Sequence, residues 1–247
     1  MWKKFLVFIF ITLIVFQINA CNNGDSFESV VSGDFIYSKW SMAEEEVSII
    51  GLSDEGLEKE TLVFPATIDG YKVTQIGNMA GLKDSGPLYI KNAINIYFGS
   101  NITQVVTSIE YIDIDSNSII NVYVGGQAVA SELYAWTYQY SNIHVYLSEY
   151  EFSNLMDDEI IYGTFISSNV EYYVDDQIYF IDNVEGETIN IIPPIPHKNG
   201  YEFVGWFKDE LLSQSWNFAE DVVANKIYDE NNYIKNITKI YAKWEIK

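Results

Sequence analysis

Seven short runs constrain this chain more than any other feature. They are "TLVF" at 61–64, "YKVTQI" at 71–76, "PLYI" at 87–90, "INIYF" at 94–98, "IEYIDI" at 109–114, "IINVYV" at 119–124 and "NIHVYL" at 142–147. All are rich in Ile, Val and Tyr, and Gly, Asn, Asp and Ser punctuate the sequence between them. β-Branched and aromatic residues suit a pleated surface, and small polar residues suit turns, so the runs read as strands. Helical periodicity is scarce. Its best instance is "GQAVASELYAWTYQY" at 126–140, with Val129, Leu133 and Trp136 at helical spacing. The strands that start near Leu88 and Ile109 lie about 21 residues apart, and an earlier one starts near Leu62. Such a period fits one short strand per coil, each coil stacked on the next. The chain is therefore expected to be mainly β.

Charge narrows the partners. The 247 residues carry a formal net charge of −21, and all 14 basic residues are lysines, with no arginine. Beyond Lys3 and Lys4 the lysines form no patch. Nucleic-acid binding needs clustered positive charge to neutralise phosphates, so it is not expected. Attraction to anionic lipid headgroups is not expected either. At 48% hydrophobic and 16% aromatic, the chain has ample material for a core.

"MWKKFLVFIFITLIVFQINAC" opens the chain. A positive pair, an apolar run from Phe5 to Phe16 and a small residue at the end form a secretory signal peptide over 1–20. Ile18, Asn19, Ala20 and Cys21 resemble the lipobox of bacterial lipoproteins. The resemblance implies that Cys21, the only cysteine, is lipidated and anchors the chain to the outer face of a bacterial membrane. The alternatives are ordinary secretory cleavage after Ala20 and an uncleaved anchor. Loss of residues 1–20 removes two lysines and takes the net charge to −23. A tether is expected over 21–34.

Two further resemblances divide the rest. "LVFPATIDGYKVTQIGNMA" at 62–80 resembles the BspA-like leucine-rich repeat, through Pro65, Ile68, Gly70, Tyr71, Val73, Thr74, Ile76, Gly77 and Ala80. It implies a short, degenerate leucine-rich-repeat solenoid over 35–148. An acidic linker follows at 149–166. Residues 167–247 resemble the Listeria–Bacteroides repeat, the B-repeat of internalins. Gly186, Ile189, Pro193, Pro196, Gly200, Tyr201, Phe203, Gly205, Trp206, Trp216, Phe218, Tyr241, Ala242, Lys243 and Trp244 carry the match. It implies a small β-grasp-like module. Within it "VEYYVDDQIYFIDNV" reads as two strands around an Asp-rich turn. Gly200, Tyr201, Phe203, Gly205, Trp206, Trp216 and Trp244 are expected to be structural, the aromatics forming a core rather than a sugar platform.

Catalytic groups are scarce. His144 sits on a strand and His197 in a Pro-rich turn, each without a nearby partner, and Cys21 lies at the tether. Two distant histidines and one lipidated cysteine do not make a zinc site. "DIDSNS" at 113–118 begins like a calcium loop but has Ser118 and Val124 where Gly and Glu belong. No catalytic residue, cofactor or metal is therefore expected, and the chain is not expected to be an enzyme. Nine of the 19 tyrosines lie between Tyr123 and Tyr173. Tyr123, Tyr134, Tyr138, Tyr140 and Tyr146 are the candidate binding surface, since tyrosine offers apolar area and a hydroxyl at low entropic cost. The expected function is surface binding or adhesion toward an extracellular protein or glycan. A structural spacer of the cell envelope and, less favoured, a carboxylate-pair glycosidase are the alternatives.

Overall fold

The computed structural model describes residues 29–39, 45–77, 87–105, 109–111, 118–126, 142–156, 164–230 and 233–247. Its elements run β1 (Ser29–Ser32), β2 (Phe35–Lys39), β3 (Glu46–Leu52), α1 (Asp54–Leu57), β4 (Thr61–Val63), β5 (Thr67–Ile68) and β6 (Tyr71–Ile76). Then come β7 (Leu88–Ile90), β8 (Asn95–Phe98), β9 (Gln104–Val105), β10 (Ile109–Tyr111), β11 (Ile120–Val124), β12 (Ile143–Leu147) and α2 (Glu149–Met156). The last are β13 (Thr164–Ser167), β14 (Val170–Val174), β15 (Gln177–Asp182), β16 (Tyr201–Phe207) and β17 (Thr238–Ile246). The chain is mainly β, as its Ile/Val/Tyr runs require, and the strands form separate sheets.

The leucine-rich-repeat solenoid expected over 35–148 does not appear among the described residues, whose strands divide among separate sheets. At the start β1, β2 and β3 pair antiparallel. The two-residue turn between β1 and β2 holds Gly33 at φ +55°, a conformation that costs glycine little. Asp69 and Gly70, at φ +48° and +85°, make the same kind of tight turn between β5 and β6. Local turn chemistry thus folds this part into hairpins. Further on the pairing changes. The order β13-β12-β11-β8-β4 is parallel throughout. Asn95, Asn121, His144 and Thr164 line up across it. The Asn121 amide donates to Asn95 Oδ1 at 3.0 Å, tying neighbouring strands by their side chains.

That parallel sheet is covered on both faces. Ile96, Phe98, Val122, Val124, Val145 and Leu147 turn into one cluster, with Phe64 and Phe35 beneath. Between them, Tyr97, Tyr123 and Tyr146 point the other way and stack. Ring centroids are 4.1 Å apart for Tyr97–Tyr123 and 4.5 Å for Tyr123–Tyr146, with planes 3° and 11° apart. Phe180 of β15 continues the stack on Tyr97 at 5.4 Å.

The segment 149–166, expected as a linker, contains α2, and β13 begins at its end. β13 extends the parallel sheet, and three residues on the chain enters β14. Ser168 and Asn169, at the crossing, are fully buried. The Asn169 side chain accepts from Val184 N and donates to Val184 O, and its carbonyl accepts from Thr238 N.

The C-terminal sheet runs β15-β14-β17-β16. Asp175 and Asp176, both at φ near +48°, form the β14–β15 turn, so the Asp-rich turn read from the sequence is present. Val170, Tyr172, Ile240 and Ala242 form the inner face and share one cluster with Tyr97, Tyr123 and Ala66 of the N-terminal part. The two parts therefore meet through a common core. Ser100 N donates to Tyr179 O at 2.7 Å across this seam. A Cβ on Gly125 would lie 2.7 Å from that same carbonyl, so only glycine admits β15 this closely.

Candidate functional site

The aromatic-rich stretch of the C-terminal part is a core. Trp206 is 5% exposed and meets Tyr172 at 5.1 Å and Phe203 at 5.3 Å, both edge-to-face. Phe203 reaches Trp244 at 5.6 Å, and Trp216 N donates to Trp206 O. Trp216 and Trp244 are half-buried against the same cluster. Gly205 sits at a bulge where β16 shifts register against β17. Gly200, in the turn before it, has φ +79°. Tyr201, on the rim, carries Lys198 Nζ 4.9 Å above its ring.

Of the tyrosines singled out as a binding surface, Tyr123 does not lie where a partner would find it. Tyr123 is 7% exposed, held between Tyr97 and Tyr146. It packs the seam between the two parts and offers no ring face to solvent. Tyr146, at the end of the stack, is half-buried. Tyr134, Tyr138 and Tyr140, like Cys21 and most of 113–118, lie outside the described residues.

The same seam buries a carboxylate. Asp182 is 3% exposed and accepts from the Tyr97 hydroxyl at 3.2 Å and from Asn183 N at 2.8 Å. Burial pushes its pKa up to about 6, with the two hydrogen bonds working the other way. Burial, with Asp182 beside it, drives the Tyr97 phenol well above its ordinary range.

Solvent-facing aromatics gather on the outer face of the β14–β17 pair. Parallel register puts Glu171 beside Lys239 and Tyr173 beside Tyr241. The Tyr173 and Tyr241 rings stack at 5.4 Å. Two hollows adjoin, both lined by Tyr173 and Lys239. The first, of about 460 Å³, is closed by α2 and by Asp229 and Tyr233. Its polar wall is Glu149, Glu171 and Asp229, and its rings are Tyr150, Tyr173 and Tyr233. The second, of about 660 Å³, runs past Tyr241 toward Trp244, with Asp175, Asp176 and Glu210 around it.

Hydrogen bonds fix the walls. Tyr173 donates to Glu171 Oε2 at 2.6 Å, and Glu149 N donates to Glu171 Oε1 at 3.1 Å. Tyr233 N donates to Asp229 Oδ1 at 2.9 Å, and Tyr241 donates to Glu210 Oε1 at 3.1 Å. Burial, then the negative charge of Glu171, holds the Glu149 carboxyl above its usual range, while Lys239 pulls the other way. Tyr241 is pushed up to about 12 by burial and its bond to Glu210. Rings with carboxylates at their edges can grip polar, ring-bearing or cationic ligands. Among the described residues, no group of three or more His, Asp or Glu is placed to hold a metal ion. Among them, too, no helix is long and apolar enough to cross a membrane.

Comparison with known proteins agrees with part of this picture. A protein of Evansella cellulosilytica, provisionally named a membrane protein, is 27% identical over 164 residues, covering 64% of this chain and 22% of that protein. A second from the same organism, provisionally named a Gly-rich membrane protein, is 35% identical over 68 residues, 27% of this chain and 7% of its own length. The chain thus matches about a fifth or less of the length of these relatives. Residues 164–228 match the model of the Listeria-Bacteroides repeat domain, which begins at β13 and takes in β14, β15 and β16. β17 lies beyond the matched residues, yet it pairs with both β14 and β16 and completes their sheet. The chain therefore carries a Listeria-Bacteroides repeat domain over residues 164–228.

Proposed function

We propose that this chain is a non-catalytic binding protein of a bacterial cell surface, which engages an extracellular protein or glycan through the groove on the outer face of β14 and β17. The groove carries the reading. It is the place among the described residues where stacked tyrosines, exposed rings and carboxylates border open volume. Binding sites are concave and combine apolar walls with a few placed polar groups, and this one fits that description. The lipobox-like Ile18–Asn19–Ala20–Cys21 supports a lipid anchor, and the membrane-protein names of the relatives accord with it. The parallel β4–β8–β11–β12–β13 sheet supports a BspA-like leucine-rich ancestry for that part of the chain. In this view it is the support to which the repeat domain is fixed.

An array of extracellular proteins and glycans, probed with the full chain in detergent micelles, tests the reading. Binding that weakens on Tyr150→Ala and Tyr241→Ala is expected. No binding to any member of the array would favour a spacer. Binding that ignores both substitutions would move the site elsewhere. Mass spectrometry of the N-terminus tests the anchor, and an unmodified Cys21 would refute it.

A further inference from the structure

Three lysines of the C-terminal part show how its surface receives an ammonium group. Lys198 Nζ lies 4.9 Å from the Tyr201 ring centre and pairs with Asp175 at 2.6 Å. Lys239 stands 5.5 Å over Tyr173, and Lys243 stands 4.8 Å over Phe207. Ammonium against an aromatic face, with a carboxylate alongside in the first case, is a repeated device here.

The α2 end of the groove offers the same elements in excess. Glu149, Glu171 and Asp229 face one cation among the described lining residues, Lys239. Tyr150, Tyr173 and Tyr233 supply three rings, of which Tyr150 is 60% exposed. Glu171 is 2% exposed and lies at the floor. Burial first, and then the negative charge of Glu171, raises the Glu149 carboxyl; Lys239 offsets part of this and Asp229 adds a smaller upward pull, so a cation brought beside Glu149 would be attracted.

Resting on the groove as binding face, we infer that this end receives a lysine side chain from a basic peptide segment of a partner protein. Shape favours a peptide over an amino-sugar chain. A slender four-carbon stem can lay its methylenes along tyrosine rings and carry its charge down toward Glu171. An amine fixed directly to a pyranose ring would have to bring the ring with it into the same space. The long charged stem also keeps the peptide backbone at the rim, where Asp176 and Glu210 extend the acidic track for further basic residues.

The test is titration calorimetry on the full chain in detergent micelles at about 0.15 M salt, where distant surface charges are screened. The probes are hexalysine, fully Nε-acetylated hexalysine and a glucosamine hexamer. Hexalysine is expected to bind, and its acetylated form is not. Glu149→Gln and Tyr150→Ala should each weaken hexalysine by about tenfold. Glu55→Gln, an equal charge change on exposed α1 in the N-terminal part, should alter it less than about twofold. Tyr150→Ala changes no charge and removes a mostly exposed ring, so it separates a built site from diffuse attraction to an acidic chain. Equal weakening by Glu149→Gln and Glu55→Gln, with none from Tyr150→Ala, would overturn the inference. Glucosamine binding that depends on Tyr150, with no groove-dependent hexalysine binding, would overturn the peptide and keep the groove. If neither probe responds to the groove substitutions, both the inference and the groove as binding face fail.

Discussion

The tyrosines of β8, β11 and β12 stack ring on ring, and those of β8 and β11 are buried against β15. Those of α2, β14 and β17 line an open groove on the far side of the next sheet. Both sets lie on or beside strands, and both have carboxylates near their hydroxyls. The difference lies in what the opposite wall is. Tyr97 and Tyr123 meet Phe180 and a fully packed cluster, so their area contributes to cohesion. Tyr173 and Tyr241 meet each other and then solvent-filled volume. Residue type alone therefore does not mark a binding surface in this protein, whereas the covering element does.

The largest expected effect falls on the covered side. Trp206 joins Tyr172, Tyr179 and Phe203 around one point. Trp206→Ala should cost about 4 kcal/mol, the usual range for emptying a buried large aromatic, and should unfold the repeat domain. Chemical denaturation followed by circular dichroism would show it. A folded variant that merely loses a ligand would make this tryptophan part of a binding platform instead. Next comes Tyr123→Ala, expected to cost about 3 kcal/mol because it removes the middle of the ladder. A loss below about 1 kcal/mol would mean that the seam is not cohesive, and the comparison would collapse.

The tyrosine ladder is not written in any one strand of the sequence. The three strands of the ladder are legible from their β-branched and aromatic residues, and so are the Asp175–Asp176 turn and the aromatic core around Trp206. The ladder needs more, because it depends on which strands lie side by side and in which register. A parallel strand buried on both faces also shows no in–out alternation; Ile96, Tyr97 and Phe98 are all buried in succession. One signal was available. Ile96-Tyr97-Phe98, Val122-Tyr123-Val124 and Val145-Tyr146-Leu147 repeat an apolar–Tyr–apolar triplet at the same place in three runs. Aligned triplets stack their tyrosines. The groove left no such trace, since α2, β14, Asp229 and β17 are brought together only by the parallel pairing of β14 with a strand more than sixty residues later.

Protonation probes the seam more gently. The folded chain holds Asp182 with its pKa raised to about 6, whereas an unfolded Asp titrates near its model value of 3.8. The folded state therefore keeps this proton more tightly. Its contribution is complete below about pH 4 and is lost as the pH rises through about 6. Stability should fall by on the order of 2 kcal/mol between about pH 4.5 and about pH 7.5. Glu149, raised in the same direction, adds to the trend. Asp182→Asn should remove most of it while leaving an acceptor for the Tyr97 hydroxyl. Urea midpoints at the two pH values, for both proteins, decide the point. An unchanged slope in Asp182→Asn would place its source outside the seam.

The smallest stability effect is the sharpest contrast. Tyr150 is 60% exposed at the groove mouth and its ring enters neither buried cluster. Truncating it removes little apolar area from contact, and surface changes of this kind fall within about 0.5 kcal/mol. The α2 backbone also favours the change, since alanine is the better helix former. Tyr150→Ala should therefore unfold together with the unaltered chain. Tyr123→Ala, which deletes the same ring from the seam, should not. Measured side by side in one denaturant series, the pair isolates the covering element as the variable. A large loss on Tyr150→Ala would mean that α2 holds the domain together through this ring, and the groove wall would then belong with the covered tyrosines.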